Sequence, residues 1–168
     1  MSLLNYSLAA IVTYLGLVAG MLLAFSTEEE LKPGRKYFVI LKHICFISIF
    51  AGLFYYFFVN KLMPELIITA ILFIILGSLC YCSAVKLKKS KRKPIIISYI
   101  IYAVLAIVFY LSSRVIGMQI IISSLIFIYG LPAGTILTDP RKKAKSFWIV
   151  LSHVFYVAIA VILKLSFL

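Results

Sequence analysis

Residues 116–137 read IGMQIIISSLIFIYGLPAGTIL, twenty-two residues without a charge. At about 1.5 Å per residue, a helix of that length spans about 33 Å, enough to cross the hydrocarbon of a bilayer. Its last octet, GLPAGTIL (130–137), echoes an earlier one, GLVAGMLL (16–23), at both glycines, the first leucine, the alanine and the final leucine. Working outward, the sequence predicts six apolar spans, at about 6–25, 37–59, 66–85, 95–113, 116–137 and 147–167. The chain is 64% hydrophobic and 13% charged, with mean hydropathy +1.14. A soluble domain of 168 residues has too little interior to hide so much apolar surface.

The predicted fold is an all-α membrane protein, one transmembrane domain over residues 1–168. We expect a six-transmembrane-helix bundle of three hairpins, the first and last related as parallel repeats, since spans one and five run the same way. Thirteen of the seventeen basic residues fall in the first, third and fifth loops. Positive loops stay inside, which predicts cytoplasmic loops at 26–36, 86–94 and 138–146 and both termini outside. The net charge of +12 is therefore read as topology and attraction to anionic lipid headgroups, and nucleic acid is excluded as a partner.

Local signals mark the helix ends. Pro64 with Glu65, and Pro94, suit first turns, and Thr138 and Asp139 precede Pro140 as caps. Pro33 and Gly34 are expected to break the chain before the second span, and Pro132 to kink the fifth. Ser26 and Thr27 each stand three residues before a glutamate, which predicts capping boxes opening a short interfacial helix at Glu28–Glu30.

The absences narrow the function. All five acidic residues lie at predicted interfaces, so paired-carboxylate catalysis inside the bilayer is excluded on this topology. There is no CxxC, HExxH, Walker A or GxSxG motif. Gly16 with Gly20, and Gly130 with Gly134, have GxxxG spacing, which predicts close helix packing. His43 and His153, the only histidines, lie six residues into the second and sixth spans, about 9 Å below the same boundary. Such a pair suits axial haem ligation, or a metal ion with Cys80 as a third ligand. The plainer reading is that both hydrogen-bond neighbouring helices. Cys45, Cys80 and Cys82 all lie toward the reducing side, so free thiols are expected.

Lys86, Lys88, Lys89, Lys91, Arg92 and Lys93 form the densest basic cluster, and Arg141, Lys142 and Lys143 a second. Both suit anionic headgroups or the acidic surface of another membrane or cytoplasmic protein. Among the polar residues inside spans, Tyr14, Ser98, Tyr99, Tyr102, Gln119, Ser123, Ser124 and Tyr129, the most polar is Gln119, which fits a cavity lining or an interhelical hydrogen bond. The preferred reading is a membrane-complex subunit, scaffold or small-solute or lipid-handling component without catalytic machinery. Two alternatives stand beside it. One is a haem- or metal-binding redox protein using His43 and His153. The other is a cytoplasmic-face enzyme on phosphorylated lipids, with Glu28, Glu29, Glu30 and Asp139 holding Mg²⁺ and Arg35, Arg141 and Lys142 on the phosphate.

Overall fold

The structure, a computed structural model, describes residues 2–86 and 93–166, with side chains at all of these except 28–32, 79–86, 93 and 94. Every described element is helical: α1 (Leu3–Ser26), α2 (Glu28–Val59), α3 (Met63–Lys86), α4 (Lys93–Ser112), α5 (Ile116–Leu137), a 3-10 turn (Pro140–Lys142), α6 (Lys143–Ser152) and α7 (Phe155–Ser166). Five segments are long and apolar enough to cross a membrane: Leu3–Ser26, Pro33–Val59, Ile95–Ser112, Ile116–Leu137 and Pro140–Ser166. The described apolar part of α3, Met63–Ser78, is shorter. Leu8, Val12, Leu22, Ile40, Ile44, Ile74 and Ile120 point outward, as an integral membrane protein requires of its lipid-facing side chains.

Two expectations about the first loop are corrected. The chain does not break at Pro33 and Gly34; α2 runs through both. Pro33 is the sixth residue of α2 and removes one bond of its ladder, close to the helix N-terminus, without ending the helix. Nor does a capping box form, since Thr27 precedes α2 without a side-chain cap. The Ser26 and Thr27 hydroxyls instead donate backward to the carbonyls of Leu22 (3.0 Å) and Leu23 (2.9 Å), closing α1. At the other end of the repeat Asp139 does cap, accepting from the Arg141 amide at 3.2 Å, and α5 continues through Pro132.

The most extensive packing is α1 against α5, while α1 touches α2 little. A Cβ built on Gly16 would overlap the Phe127 carbonyl, and one on Gly20 the Leu131 carbonyl. Reciprocally, a Cβ on Gly130 would lie 2.6 Å from the Leu17 nitrogen, and one on Gly134 2.9 Å from the Met21 nitrogen. The contacts advance together along both helices, so α1 and α5 run parallel, backbone on backbone. Without side chains between them, dispersion contacts form along the whole crossing. α2 packs on the other side of α5, and α7 fills the angle between α1 and α4.

Two ends of the bundle follow. At one, the Lys143 ammonium lies over the Phe25 ring, 5.9 Å from its centre, bringing the first and fifth loops together. At the other, Lys164 donates to Ser113 at 3.4 Å and lies over Tyr6. There Glu65, at the start of α3, is buried and ion-paired with Arg114 from the α4–α5 turn.

Candidate functional site

The predicted sixth span is not one helix. α6 stops at Ser152 and α7 begins at Phe155, although residues 143–166 contain neither proline nor glycine. The amides of His153 and Val154 bond only three residues back, to Val150 and Leu151, both at 3.0 Å. The ladder is thereby interrupted, and side chains supply further donors to the Ile149 and Val150 carbonyls beside it. Ile149 accepts from the Ser152 hydroxyl and from His153 Nδ1, each at 2.7 Å. Val150 accepts from the Tyr14 hydroxyl of α1 at 3.0 Å.

His153 is fully buried at this break. A carbonyl only accepts, so Nδ1 carries the hydrogen, and in the neutral ring Nε2 takes the Ser98 hydroxyl at 2.9 Å. Tyr99 stacks on the imidazole at 4.5 Å between centres, and Tyr102 meets it edge-on at 5.0 Å. The Tyr99 hydroxyl donates to Ser152 at 2.5 Å, because Ser152 has spent its own hydrogen on Ile149.

From His153 a polar seam runs through the apolar core. Tyr102 packs against Tyr129 and Tyr156, with ring centres 6.1 and 6.0 Å away. The Tyr102 hydroxyl is buried and has no hydrogen-bond partner among the described residues. Thr13 donates to the Ala10 carbonyl at 2.7 Å and so accepts from Tyr156 at 3.0 Å. Tyr6 donates to the Ala160 carbonyl at 3.1 Å. These bonds tie α1 to α7 in a medium with no water to replace them.

At the basic end a groove of about 210 Å³ adjoins the seam, lined by Lys42, His43, Phe46 and Ile47 of α2, Phe73 and Gly77 of α3, Ile101 of α4 and Tyr129 of α5. Among the described residues nothing lies within 4 Å of where a Gly77 side chain would start, so glycine there keeps the groove open. His43 is exposed, and its Nδ1 donates to the Val39 carbonyl at 2.6 Å, making Nε2 the acceptor of the neutral ring.

The two histidines thus stand in different surroundings, His153 inside among Ser98, Tyr99 and Tyr102, and His43 on the groove rim. A metal or haem iron on His153 would have to displace the Ser98 hydroxyl from Nε2. Among the described residues no three of His, Cys, Asp and Glu gather. Cys45 is a free thiol turned to the core. Arg141, Lys142 and Lys143 are exposed. The side chains of Cys80, of Glu28–Glu30 and of the cluster Lys86, Lys88, Lys89, Lys91, Arg92 and Lys93 lie outside the described residues.

Sequence reasoning named Tyr14, Ser98, Tyr99, Tyr102 and Tyr129 but missed Tyr6, Thr13 and Tyr156. The signal was present in α1: Tyr6, Ala10, Thr13, Leu17, Gly20 and Ala24 recur every three or four residues and form its buried face. Polar and small residues on one stripe of an apolar helix mark the side that meets protein. None of the known family models, curated proteins or solved structures matches this chain.

Proposed function

We propose that the chain is a six-span membrane protein, with both termini outside and its basic loops in the cytoplasm, that binds an amphiphile rather than transforming one. The groove carries this reading. Its walls, Phe46, Ile47, Phe73 and Ile101, are apolar, and its polar rim is Lys42 and His43. That combination suits an acyl or isoprenoid chain with an anionic head, the head at the cation and imidazole and the chain along the aromatic wall. The second basic cluster, Arg141, Lys142 and Lys143, stands at the same end and supports it by attracting anionic headgroups.

The test is native mass spectrometry and fluorescent-lipid displacement on detergent-purified protein, comparing phosphatidylglycerol with phosphatidylcholine. We expect selective retention of the anionic lipid, and about tenfold weaker binding in Gly77→Leu, which fills the groove, and in Lys42→Gln. Equal retention of both lipids, or full binding in a folded Gly77→Leu variant, would refute the reading.

A further inference from the structure

The second inference lies at the opposite end of the α1–α5 contact and is independent of the groove just described. Gln119 is 2% exposed, and among the described residues neither its Oε1 nor its Nε2 has a hydrogen-bond partner. An unpaired carboxamide is costly anywhere in a protein interior, and lipid chains offer it nothing. The nearby hydroxyls do not serve it: Ser123 donates to the Gln119 carbonyl at 2.6 Å and Ser124 to the Ile120 carbonyl at 2.9 Å. Gln119 lines a groove of about 220 Å³ between α1 and α5, with Ala9, Val12, Ile116 and Ile120 as its apolar walls. Ile116 and Ile120 are 61% and 62% exposed, standing out beside it.

We propose that this groove is the contact face of a homodimer, in which Gln119 pairs with Gln119 of a second copy. A carboxamide is self-complementary: one N–H donates and the oxygen accepts, so two facing copies satisfy both groups through a pair of N–H···O bonds. The ester groups of a lipid supply acceptors alone and leave the Gln119 oxygen unmatched. Two copies in one membrane share their orientation, so a twofold axis along the membrane normal brings both Gln119 side chains to the same depth. The interface is then isologous, with the Ile120 side chains of the two copies side by side across the axis, next to the paired amides. Both amide atoms are covered within the single chain, so the pairing requires the Gln119 side chain to turn outward about its own torsions into the groove.

The experiment is cysteine cross-linking in native membranes, in full-length chain with Cys45, Cys80 and Cys82 replaced by alanine. Ile120→Cys should give a disulfide-linked dimer, and Ile71→Cys, exposed on α3, should not. Adding Gln119→Leu should lower the Ile120→Cys dimer yield, and should weaken self-association about tenfold in a dilution series followed by light scattering. Gln119→Leu should melt no lower than the parent as a monomer, since it removes an unpaired buried amide, and this keeps a misfolded variant from imitating the result. Undiminished dimerisation in Gln119→Leu, cross-linking through Ile71→Cys instead, or a monomer that retains a lipid in this groove would each overturn the proposal.

Discussion

Replacing Gly20 by alanine tests the α1–α5 crossing most sharply. The added Cβ would overlap the Leu131 carbonyl and stand 3.0 Å from the Gly130 oxygen, where ordinary contact is 3.4–4 Å. Both neighbours are backbone, so no rotamer change relieves the clash and the helices must separate. Overpacking of this kind costs about 1–3 kcal/mol. Alanine returns about 0.5–1 kcal/mol through its better helix propensity. The net loss is about 0–2.5 kcal/mol, a melting temperature lower by up to about 10 °C at this chain length. Two internal controls fix the sign. Among the described residues Gly117 has nothing within 4 Å of its missing Cβ, and at Gly52 the nearest atom is the Met118 methyl at 3.7 Å. Gly117→Ala and Gly52→Ala should be neutral or stabilising. Gly16→Ala combined with Gly20→Ala should cost less than the sum, because one separation relieves both clashes. The assay is thermal unfolding in mild detergent, read by fluorescence-detected size exclusion. If Gly20→Ala melts with Gly117→Ala rather than below it, the close approach of α1 and α5 is wrong.

Two further outcomes follow from the polar contacts. Tyr14→Phe removes the donor to the Val150 carbonyl and should cost about 0.6–1.7 kcal/mol; it should also speed amide exchange at residues 150–156, which Tyr6→Phe, bonded farther along α7, should leave unchanged. Arg114→Met strands the buried Glu65 carboxylate and should cost about 1–2 kcal/mol, less than a fully buried pair because the Arg114 side chain is 53% exposed; Glu65→Gln added to it should recover most of the melting temperature.

Much of this architecture is legible in the sequence because lipid makes apolar length a nearly sufficient signal. The span read at 116–137 is the helix Ile116–Leu137, and 95–113 differs from Lys93–Ser112 by residues at the ends. What was not legible depends on partners far along the chain. Pro33 and Gly34 look like a break, yet a helix runs through them. The break at His153 has no proline or glycine to announce it, and three side chains, Tyr14, Ser152 and His153, hold it by donating to the Ile149 and Val150 carbonyls. Of the site, the polar residues inside the spans were visible one by one. Their pairing was not, since Thr13 finds Tyr156 and Ser98 finds His153 only after α1, α4 and α7 pack.

The parallel contact between α1 and α5 also sets a schedule for biogenesis. α1 leaves the ribosome before α5, and the glycine face it must cover arrives on the order of a hundred residues later, about 5–20 s at ordinary elongation rates. Throughout that interval a backbone-exposing helix waits in the bilayer without its mate. A nascent chain that stalls after α4 therefore presents α1 to whatever insertion chaperone or protease patrols the membrane, and completion of α5 is the event that withdraws it.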